Sequence, residues 1–332
     1  MVQVSVVIPL YQTEAYIGQA LASVLAQTFA DFEVIVVDDG SRDRGPEIAR
    51  ATGDTRVRVI TQENRGLAGA RNTGIRHATA DLIALLDADD LWAPEKLARH
   101  VAHFAADPAL DVSFSASRLI DGEGCDIGLV QSPLSPGLET ADFFCRNPIG
   151  NGSVPVLRRR ALDCIAFRDQ ALGRLCWFDE SFRQSEDVEC WMRLKAQAGC
   201  RFGYVGEPLT LYRVNSGGLS ANIDAQLATW RRFRDKVASY APDVVRAYGT
   251  RAEAYQLRYL ARRAVRSDDR AAGLRLTLEA LRHHPRLLIE EPVRTASTLA
   301  AALAKRCLPA HLFGRLEQTA LEVAASNPGI RV

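Results

Sequence analysis

The chain has 332 residues, 47% hydrophobic and 24% charged, ordinary proportions for a globular protein with room for one large domain and a smaller appendage. No apolar run approaches the ~20 residues that cross a bilayer, and with a net charge of +1 no nucleic-acid partner is expected. The charge is uneven: residues 1–230 carry 22 basic and 30 acidic side chains, residues 231–332 carry 19 and 10, an asymmetry that separates the two parts and suggests different partners.

Met1-Val2-Gln3-Val4-Ser5 has no cationic stretch before an apolar core, so no signal peptide is expected there. The seven cysteines are odd in number and form no Cys-x-x-Cys; reduced thiols in the cytoplasm, and no zinc site, are the expectation. Asn151-Gly152-Ser153 matches a glycosylation sequon, which is set aside without a secretory signal.

In chain order, Val4-Ser5-Val6-Val7-Ile8-Pro9 reads as a buried strand stopped by proline. Tyr16, Ile17, Ala20, Leu21, Val24 and Leu25 recur at helical spacing between Glu14 and about Gln27. Phe32 to Val37 is a second strand ending in Asp38-Asp39-Gly40-Ser41, and Ser41 or Asp43 can cap a helix running to about Ala51. Val57 to Ile60 is a third strand, Asn64 opens a third helix, and Leu82 to Leu86 is a fourth strand ending in Asp87-Ala88-Asp89-Asp90. Strands alternating with helices across short loops imply a parallel sheet in an α/β fold. For the last strand end alone, a solvated turn is an alternative, with Asp90 capping a helix that starts near Pro94. Two acid-tipped strand ends, on what would be adjacent parallel strands, place four or five carboxylates on one rim, where open α/β sheets bind ligands. Such a rim needs cations or hydrogen-bond donors.

A dinucleotide fold needs Gly-x-Gly-x-x-Gly after the first strand, where this chain has Pro9-Leu10-Tyr11-Gln12. No P-loop and no Gly-x-Ser-x-Gly elbow occur. His100 and His103 lie on a helix, but without a third ligand they read as surface or half-buried histidines, not a metal pair. A nucleotide base offers N–H donors, a ribose offers hydroxyls, and a diphosphate needs a cation. A nucleotide-sugar meets all three demands of a carboxylate-rich, metal-competent rim.

Val4-Ser5-Val6-Val7-Ile8-Pro9-Leu10-Tyr11, Ser23-Val24-Leu25-Ala26-Gln27-Thr28, Val36-Val37-Asp38-Asp39-Gly40-Ser41, Asn64-Arg65-Gly66-Leu67-Ala68-Gly69-Ala70-Arg71-Asn72 and Leu86-Asp87-Ala88-Asp89-Asp90, in this order, resemble the family 2 glycosyltransferases of GT-A fold. Phe178-Asp179-Glu180-Ser181-Phe182 and Ser185-Glu186-Asp187-Val188-Glu189-Cys190-Trp191-Met192-Arg193-Leu194 are similar to that family's acceptor-side Glu-Asp motif. The resemblance runs from residue 2 to about 220. It implies a GT-A-like, mostly parallel central sheet flanked by helices over residues 1–224, with a nucleotide-sugar half to about 117 and an acceptor half from 118. Residues 225–332 form a C-terminal helical appendage.

The same resemblance implies that Pro9 and Tyr11 line the base pocket and that Asp39 accepts hydrogen bonds from the base. Arg71 helps to fix the nucleotide, Asp87 contacts the ribose or the donor sugar, and Asp89 ligates Mg2+ or Mn2+ on the diphosphate. Asp187 is the catalytic base, with Glu186 beside it on the acceptor side. The implied reaction is inverting transfer from a nucleoside diphosphate-sugar to a hydroxyl of a glycan or lipid-linked acceptor. A divalent ion bridges phosphates and neutralises the departing diphosphate, and a sugar hydroxyl needs a base as it attacks. At a helix start, Asp187 is expected to have a lowered pKa. An inert scaffold of the same fold and a sugar nucleotidyltransferase are alternatives; Pro9 to Thr13 lacks the Gly-rich basic loop of the latter, and Asp39, Asp87, Asp89 and Asp187 are all present against the former.

Ala109 to Ser117 reads as a further strand, Asp121 to Gly137 as a loop, and Val154 to Leu157 as a short strand. Residues 166–177 look like extra length, where Arg168, Arg174 and Trp177 can shape acceptor choice; Trp177 can stack on a sugar or sit in the core. Tyr212-Arg213-Val214-Asn215-Ser216-Gly217-Gly218-Leu219-Ser220 resembles the family's closing loop over the diphosphate, with Arg213 and Ser220 as contacts and Asn215 where that loop often has histidine. Helices follow over Ala225–Ser239, Asp243–Val265 and Arg270–His283, the last two joined by a turn at Asp268-Asp269, and again after Pro285 and Pro309; Leu257, Leu260, Ala261 and Ala264, then Leu274, Leu278 and Leu281, each form one stripe. Their basic excess can face anionic lipid at the inner membrane surface, pair with the acidic domain, or form a solvated surface. No oligomeric state is assigned.

Overall fold

A strand that is apolar at every position needs cover on both faces. In the computed structural model, which describes residues 2–132, 138–214, 223–265, 271–309 and 311–315, the first strands receive it. Strands β1 (Val4–Leu10), β2 (Phe32–Asp38), β3 (Val57–Thr61) and β4 (Leu82–Leu85) alternate with α1 (Ile17–Leu25), α2 (Gly45–Arg50) and α3 (Gly66–His77). Side chains alternate along a strand. Val4, Val6, Ile8 and Leu10 of β1 therefore join Val34 and Val36 of β2 and Ile17, Leu21 and Val24 of α1 in one core, while Ile35 and Val37 meet Ala70 of α3. On that second face α3 lies so close to β1 that a Cβ on Gly74 would overlap Val7 Cγ1.

The chain continues through β5 (Leu91–Trp92), α4 (Lys96–Ala106), β6 (Val112–Ile120), β7 (Asp126–Gln131), α5 (Thr140–Cys145), β8 (Val156–Arg158), α6 (Arg159–Cys164), β9 (Phe167–Asp169), β10 (Arg174–Cys176), α7 (Glu186–Ala196) and β11 (Phe202–Arg213). The main sheet has the order β3-β2-β1-β4-β8-β6-β11-β5, with β7 beside β6, and β9-β10 is a separate hairpin. β1 to β4 are parallel, β8 is antiparallel to both β4 and β6, and β11 runs parallel to β6. The result is a mixed α/β sheet flanked by helices.

The structure revises several expectations. β1 runs through Pro9 to Leu10, because β4 pairs only with Val4 to Val7. Pro9 shares the orientation of Val7, whose carbonyl accepts from Leu86 on the β4 side, so its missing N–H falls beyond the end of that neighbour. The acid-tipped strands β2 and β4 are not adjacent, since β1 lies between them. The Gly-rich segment after Asp121 holds the strand β7. Asp90 caps no helix: β5 follows it, and α4 starts after Glu95. Among the described residues no helix is long and apolar enough to cross a membrane, and the seven cysteines form no disulfide.

The described residues fall into two compact units: 2–132, 138 and 148–214 in one, 139–147 and 223–315 in the other. The second unit comprises α5 with α8 (Ile223–Tyr240), α9 (Pro242–Ala264), α10 (Ala272–His283), α11 (Leu287–Glu290) and α12 (Pro292–Cys307). The resemblance keeps α5 inside the acceptor half, but its Phe144 packs on Phe233 of α8 with ring centroids 6.0 Å apart. On α9 the expected stripe of Leu257, Leu260, Ala261 and Ala264 is buried, whereas α10 buries Ala272, Leu276 and Ala280 and leaves Leu278 exposed. The buried face of α10 thus carries Leu276 with the small residues Ala272, Gly273 and Ala280 against α9, where an added Cβ on Gly273 would lie 3.1 Å from Val265 Cγ2. The buried Glu291 gathers Arg146, Arg258 and Arg294, so part of the basic excess is neutralised within this unit. The Asp268-Asp269 turn lies outside the described residues.

Candidate active site

Three carboxylates leave the end of β4 and meet three different environments. Asp90 is buried; its Oδ1 accepts from the Arg213 backbone N–H at 2.9 Å and its Oδ2 from the Ser153 hydroxyl at 2.6 Å. Burial, with Asp89 and Asp87 nearby, raises its carboxyl well above the usual range. Asp87 is partly exposed, and its Oδ1 accepts from Arg71 Nη2 at 2.7 Å. Asp89 is half-buried at the rim.

Arg71 of α3 is only 1% exposed. Its Nη2 reaches Asp87, and its Nη1 reaches Glu186 Oε1 at 2.6 Å, so one guanidinium, 115 residues before Glu186 in sequence, joins the end of β4 to the start of α7. A buried bidentate bridge of this kind fixes both partners. α7 begins abruptly: Ser185 adopts a left-handed φ of 59°, which turns the following Glu-Asp pair inward. Burial pushes the Glu186 carboxyl up to about 7 against the Arg71 charge. Asp187 is also raised, chiefly by burial, despite Arg71 and the Val188 N–H that bonds its Oδ1 at 2.8 Å. This reverses the lowering expected from its helix-terminal position, because desolvation outweighs the backbone donors.

The segment Asn151-Gly152-Ser153 supports this arrangement. Ser153 Oγ donates to Asp90 and accepts the Asp87 N–H at 2.9 Å, and the Ser153 carbonyl accepts from Trp92 Nε1 at 3.0 Å. A Cβ on Gly152 would overlap the Arg71 guanidinium and come within 3.1 Å of Asp87 Oδ2. Gly152→Ala is therefore expected to displace Arg71 and to lower turnover by about tenfold or more, since small misplacements at a reacting centre are costly. A thermal melt near wild type with impaired kcat is the expected result; unchanged kcat would show that the guanidinium moves aside harmlessly.

At the β1 and β2 ends, Asp39 is buried. Its Oδ1 accepts from Gln62 Nε2 at 2.6 Å and from the Arg65 N–H at 2.8 Å, and its Oδ2 accepts from the Gly66 N–H at 2.8 Å. It thereby caps α3 from another strand, and Oδ2 keeps one acceptor position for a ligand. Pro9 is buried in β1, so Tyr11, 47% exposed just beyond the strand, is the member of that pair with a side chain in solvent.

Other expected contacts prove to be framework. Arg71 does not reach solvent, so its place is between carboxylates. Trp177, 5% exposed, offers no open ring face; its Nε1 donates to Asp163 and its backbone N–H to Asn72. Arg213 is buried and donates to the carbonyls of Asp89, Asp121 and Gly122 and to Gln19 Oε1, which leaves its guanidinium clamping loops instead of a phosphate. Asn215 and Ser220 lie outside the described residues. Asn72, quoted only within a motif, accepts the Trp177 and Phe178 N–H groups and donates to the Phe178 carbonyl and to Glu180, tying the Phe-Asp-Glu stretch to α3. His100 and His103 hold no metal pair geometry; both Nδ1 atoms lie on the Ser113 hydroxyl at 2.7 and 2.8 Å. Lys96, beside them, is buried, bonded to the Val154 carbonyl and Thr210, and held well below its ordinary pKa by that burial.

The model of Glycosyl transferase family 2 matches residues 5–165. The succinoglycan biosynthesis protein ExoO of Rhizobium meliloti is 30% identical over 251 residues, which span 71% of this chain and 69% of ExoO. The chain belongs to glycosyltransferase family 2. Its fold is that of Staphylococcus aureus TarS, solved with UDP-GlcNAc, at a TM-score of 0.56 and 17% identity over 92% of this chain and 89% of that one. It is likewise that of the mannosyltransferase PcManGT of Pyrobaculum calidifontis, solved with GDP-Man and Mn2+, at a TM-score of 0.55 and 23% identity over 92% and 86%. Across the first curated relatives matched, the aligned part spans 57%, 26% and 34% of their own lengths.

A divalent ion, as the family implies, can be tested against what each carboxylate already holds. Both Asp90 oxygens are engaged and buried, and one Asp87 oxygen is on Arg71. Among the described residues no three His, Cys, Asp or Glu side chains are grouped to hold a metal. Mg2+ takes one or two carboxylates plus substrate phosphates and water, and Mn2+ shares its oxygen preference. The partly exposed Asp87 and Asp89 at the rim are oxygen donors of the kind that an ion carried on a diphosphate takes.

Proposed function

We propose that the protein is an inverting, metal-dependent glycosyltransferase. Its donor is a nucleoside diphosphate-sugar, with a UDP-sugar favoured, and its acceptor is a hydroxyl of a glycan or lipid-linked saccharide. Cell-surface polysaccharide or glycoconjugate assembly in the cytoplasm is the setting. The observation that carries this reading is the Arg71 bridge, which links Asp87 at the end of β4 to Glu186 of the Glu-Asp pair of α7. ExoO's role in succinoglycan biosynthesis, the UDP-GlcNAc of TarS and the GDP-Man and Mn2+ of PcManGT are consistent with it.

Tyr11 and the remaining acceptor position of Asp39 serve the base. Asp87, fixed by Arg71, meets the ribose or donor sugar. Asp89 would hold Mg2+ or Mn2+, which when bound would supply charge neutralisation for the leaving group. Asp187 takes the acceptor proton as the acceptor oxygen bonds to the anomeric carbon and the bond to the diphosphate oxygen breaks, its electron pair leaving with the nucleoside diphosphate. The raised pKa of Asp187 makes it a stronger base than an ordinary aspartate, and Glu186 orients it through Arg71.

Asp89→Asn is expected to abolish the Mn2+-dependent part of the thermal shift given by UDP-sugars, while the melt without ligand stays near wild type. Ligand-linked stabilisation follows mass action, so equal shifts with and without the carboxylate would remove the metal assignment.

A further inference from the structure

We propose that the face formed by α11 and α12 is a docking surface for anionic lipid. The inference is independent of the transferase reading. Ile289 is 82% exposed and Val293 79%, with Leu288, Leu303 and Leu312 also exposed. At 3.6 residues per turn, Val293, Ala300 and Leu303 fall on one side of α12, and the buried Thr295, Thr298 and Ala302 on the other. The hydroxyls of the buried side are satisfied locally, Thr295 on the Leu287 carbonyl at 3.0 Å and Thr298 on the Arg294 carbonyl at 2.7 Å. The helix thus turns Thr295, Thr298 and Ala302 inward and Val293 and Leu303 outward, with Leu299 half-buried between them, unlike a helix whose apolar stripe is fully buried within its own domain.

Charge selects the occupant. Residues 292–315 include Arg294, Lys305, Arg306 and Arg315 and no acidic residue; Arg294 pairs with Glu291 and Lys305 donates to the Val265 carbonyl, so Arg306 is the exposed cation of α12. Of the two carboxylates just before them, Glu291 is buried among Arg146, Arg258 and Arg294, and the exposed Glu290 is bonded by Tyr255 and His284. Arg286, just before α11, and Arg306, in the last turn of α12, are both exposed. A second copy of the chain docking by a two-fold axis would set this net-basic surface against itself. An anionic bilayer surface offers apolar depth to Ile289 and Val293 and negative charge to their basic neighbours. With no helix long and apolar enough to cross among the described residues, the contact is peripheral.

Vesicle co-sedimentation of the full chain tests it. Wild-type protein is expected to pellet with phosphatidylcholine vesicles containing phosphatidylglycerol at low salt, to be released as salt rises, and to ignore phosphatidylcholine alone. Ile289→Ser with Val293→Ser is expected to lower partitioning by about tenfold or more, with an unchanged melt because both side chains are already in solvent. Arg286→Glu with Arg306→Glu is expected to lower it further at low salt. Absence of wild-type binding to the acidic vesicles, or binding unaffected by the serine pair, would overturn the proposal. A wild-type dimer that the serine pair dissociates, without vesicle binding, would assign the face to a second copy instead.

Discussion

Asp187→Asn is expected to lower turnover by roughly 10²–10⁴-fold, the usual worth of general-base catalysis, with donor and metal binding intact. The amide keeps the size of the side chain and can still accept the Val188 N–H. What it cannot do is take a proton. Burial raises the Asp187 carboxyl, so the wild-type rate is expected to climb as pH rises and that carboxylate ionises, and this acid limb is expected to vanish in the variant. Glu186→Gln is expected to cost less, because Glu186 faces Arg71. Single-turnover kinetics with a UDP-sugar and an acceptor, together with the anomeric configuration of the product by NMR, decide the matter. Near-wild-type turnover of Asp187→Asn would sink the base assignment, and a retained configuration would sink the inverting mechanism.

Arg71→Met has the second large effect, and it reaches stability as well as rate. The guanidinium sits between Asp87 and Glu186 at 2.7 and 2.6 Å. Removing one partner from a buried ion cluster costs about 3–5 kcal/mol, because uncompensated charge stays behind. The penalty depends on pH. The folded-state carboxyl of Glu186 is raised from an ordinary 4.5 to about 7, so over that window the folded protein holds more protons than the unfolded chain. Stability therefore falls as pH rises from 4.5 to about 7, and this contribution is constant above. Without Arg71 the carboxyl rises further, so the variant is expected to lose more stability at alkaline pH than at pH 5. Arg71→Lys is expected to rescue only in part, since a single ammonium cannot fork between two carboxylates. Denaturant melts across pH measure this, and a Met variant as stable as wild type at alkaline pH would show that the bridge does not hold the site together.

The strand-and-helix order of residues 4–86 was legible in the sequence because the strands are short, largely apolar runs separated by polar or glycine-rich segments, and α1 carries a 3.6-residue stripe. The two acid-tipped strand ends were legible for the same reason: an apolar run that stops in carboxylates must stop at a sheet edge. Pro9 was misread because a proline's place in a strand depends on how far its neighbour extends, and β4 ends at Leu85. The α10 stripe was misread because the helix offers two apolar faces, Leu274, Leu278 and Leu281 on one and Ala272, Leu276 and Ala280 on the other, and only the packing on α9 decides which is buried.

Composition and motif order by themselves determined the family resemblance, the α/β class and the residues bearing ionisable groups. Tertiary structure alone decided what those groups do to one another. No spacing rule relates Arg71 to Glu186, or Ser153 to Asp90, because these pairs are joined through the sheet and not along the chain. The glycosylation-like triplet Asn151-Gly152-Ser153 carried no signal for its part in the site, since what matters is the absent Cβ of Gly152 against Arg71. The pKa of Asp187 also waited on the fold: a helix start is visible in sequence and predicts lowering, but burial is a property of the packed molecule, and at this position it outweighs the helix.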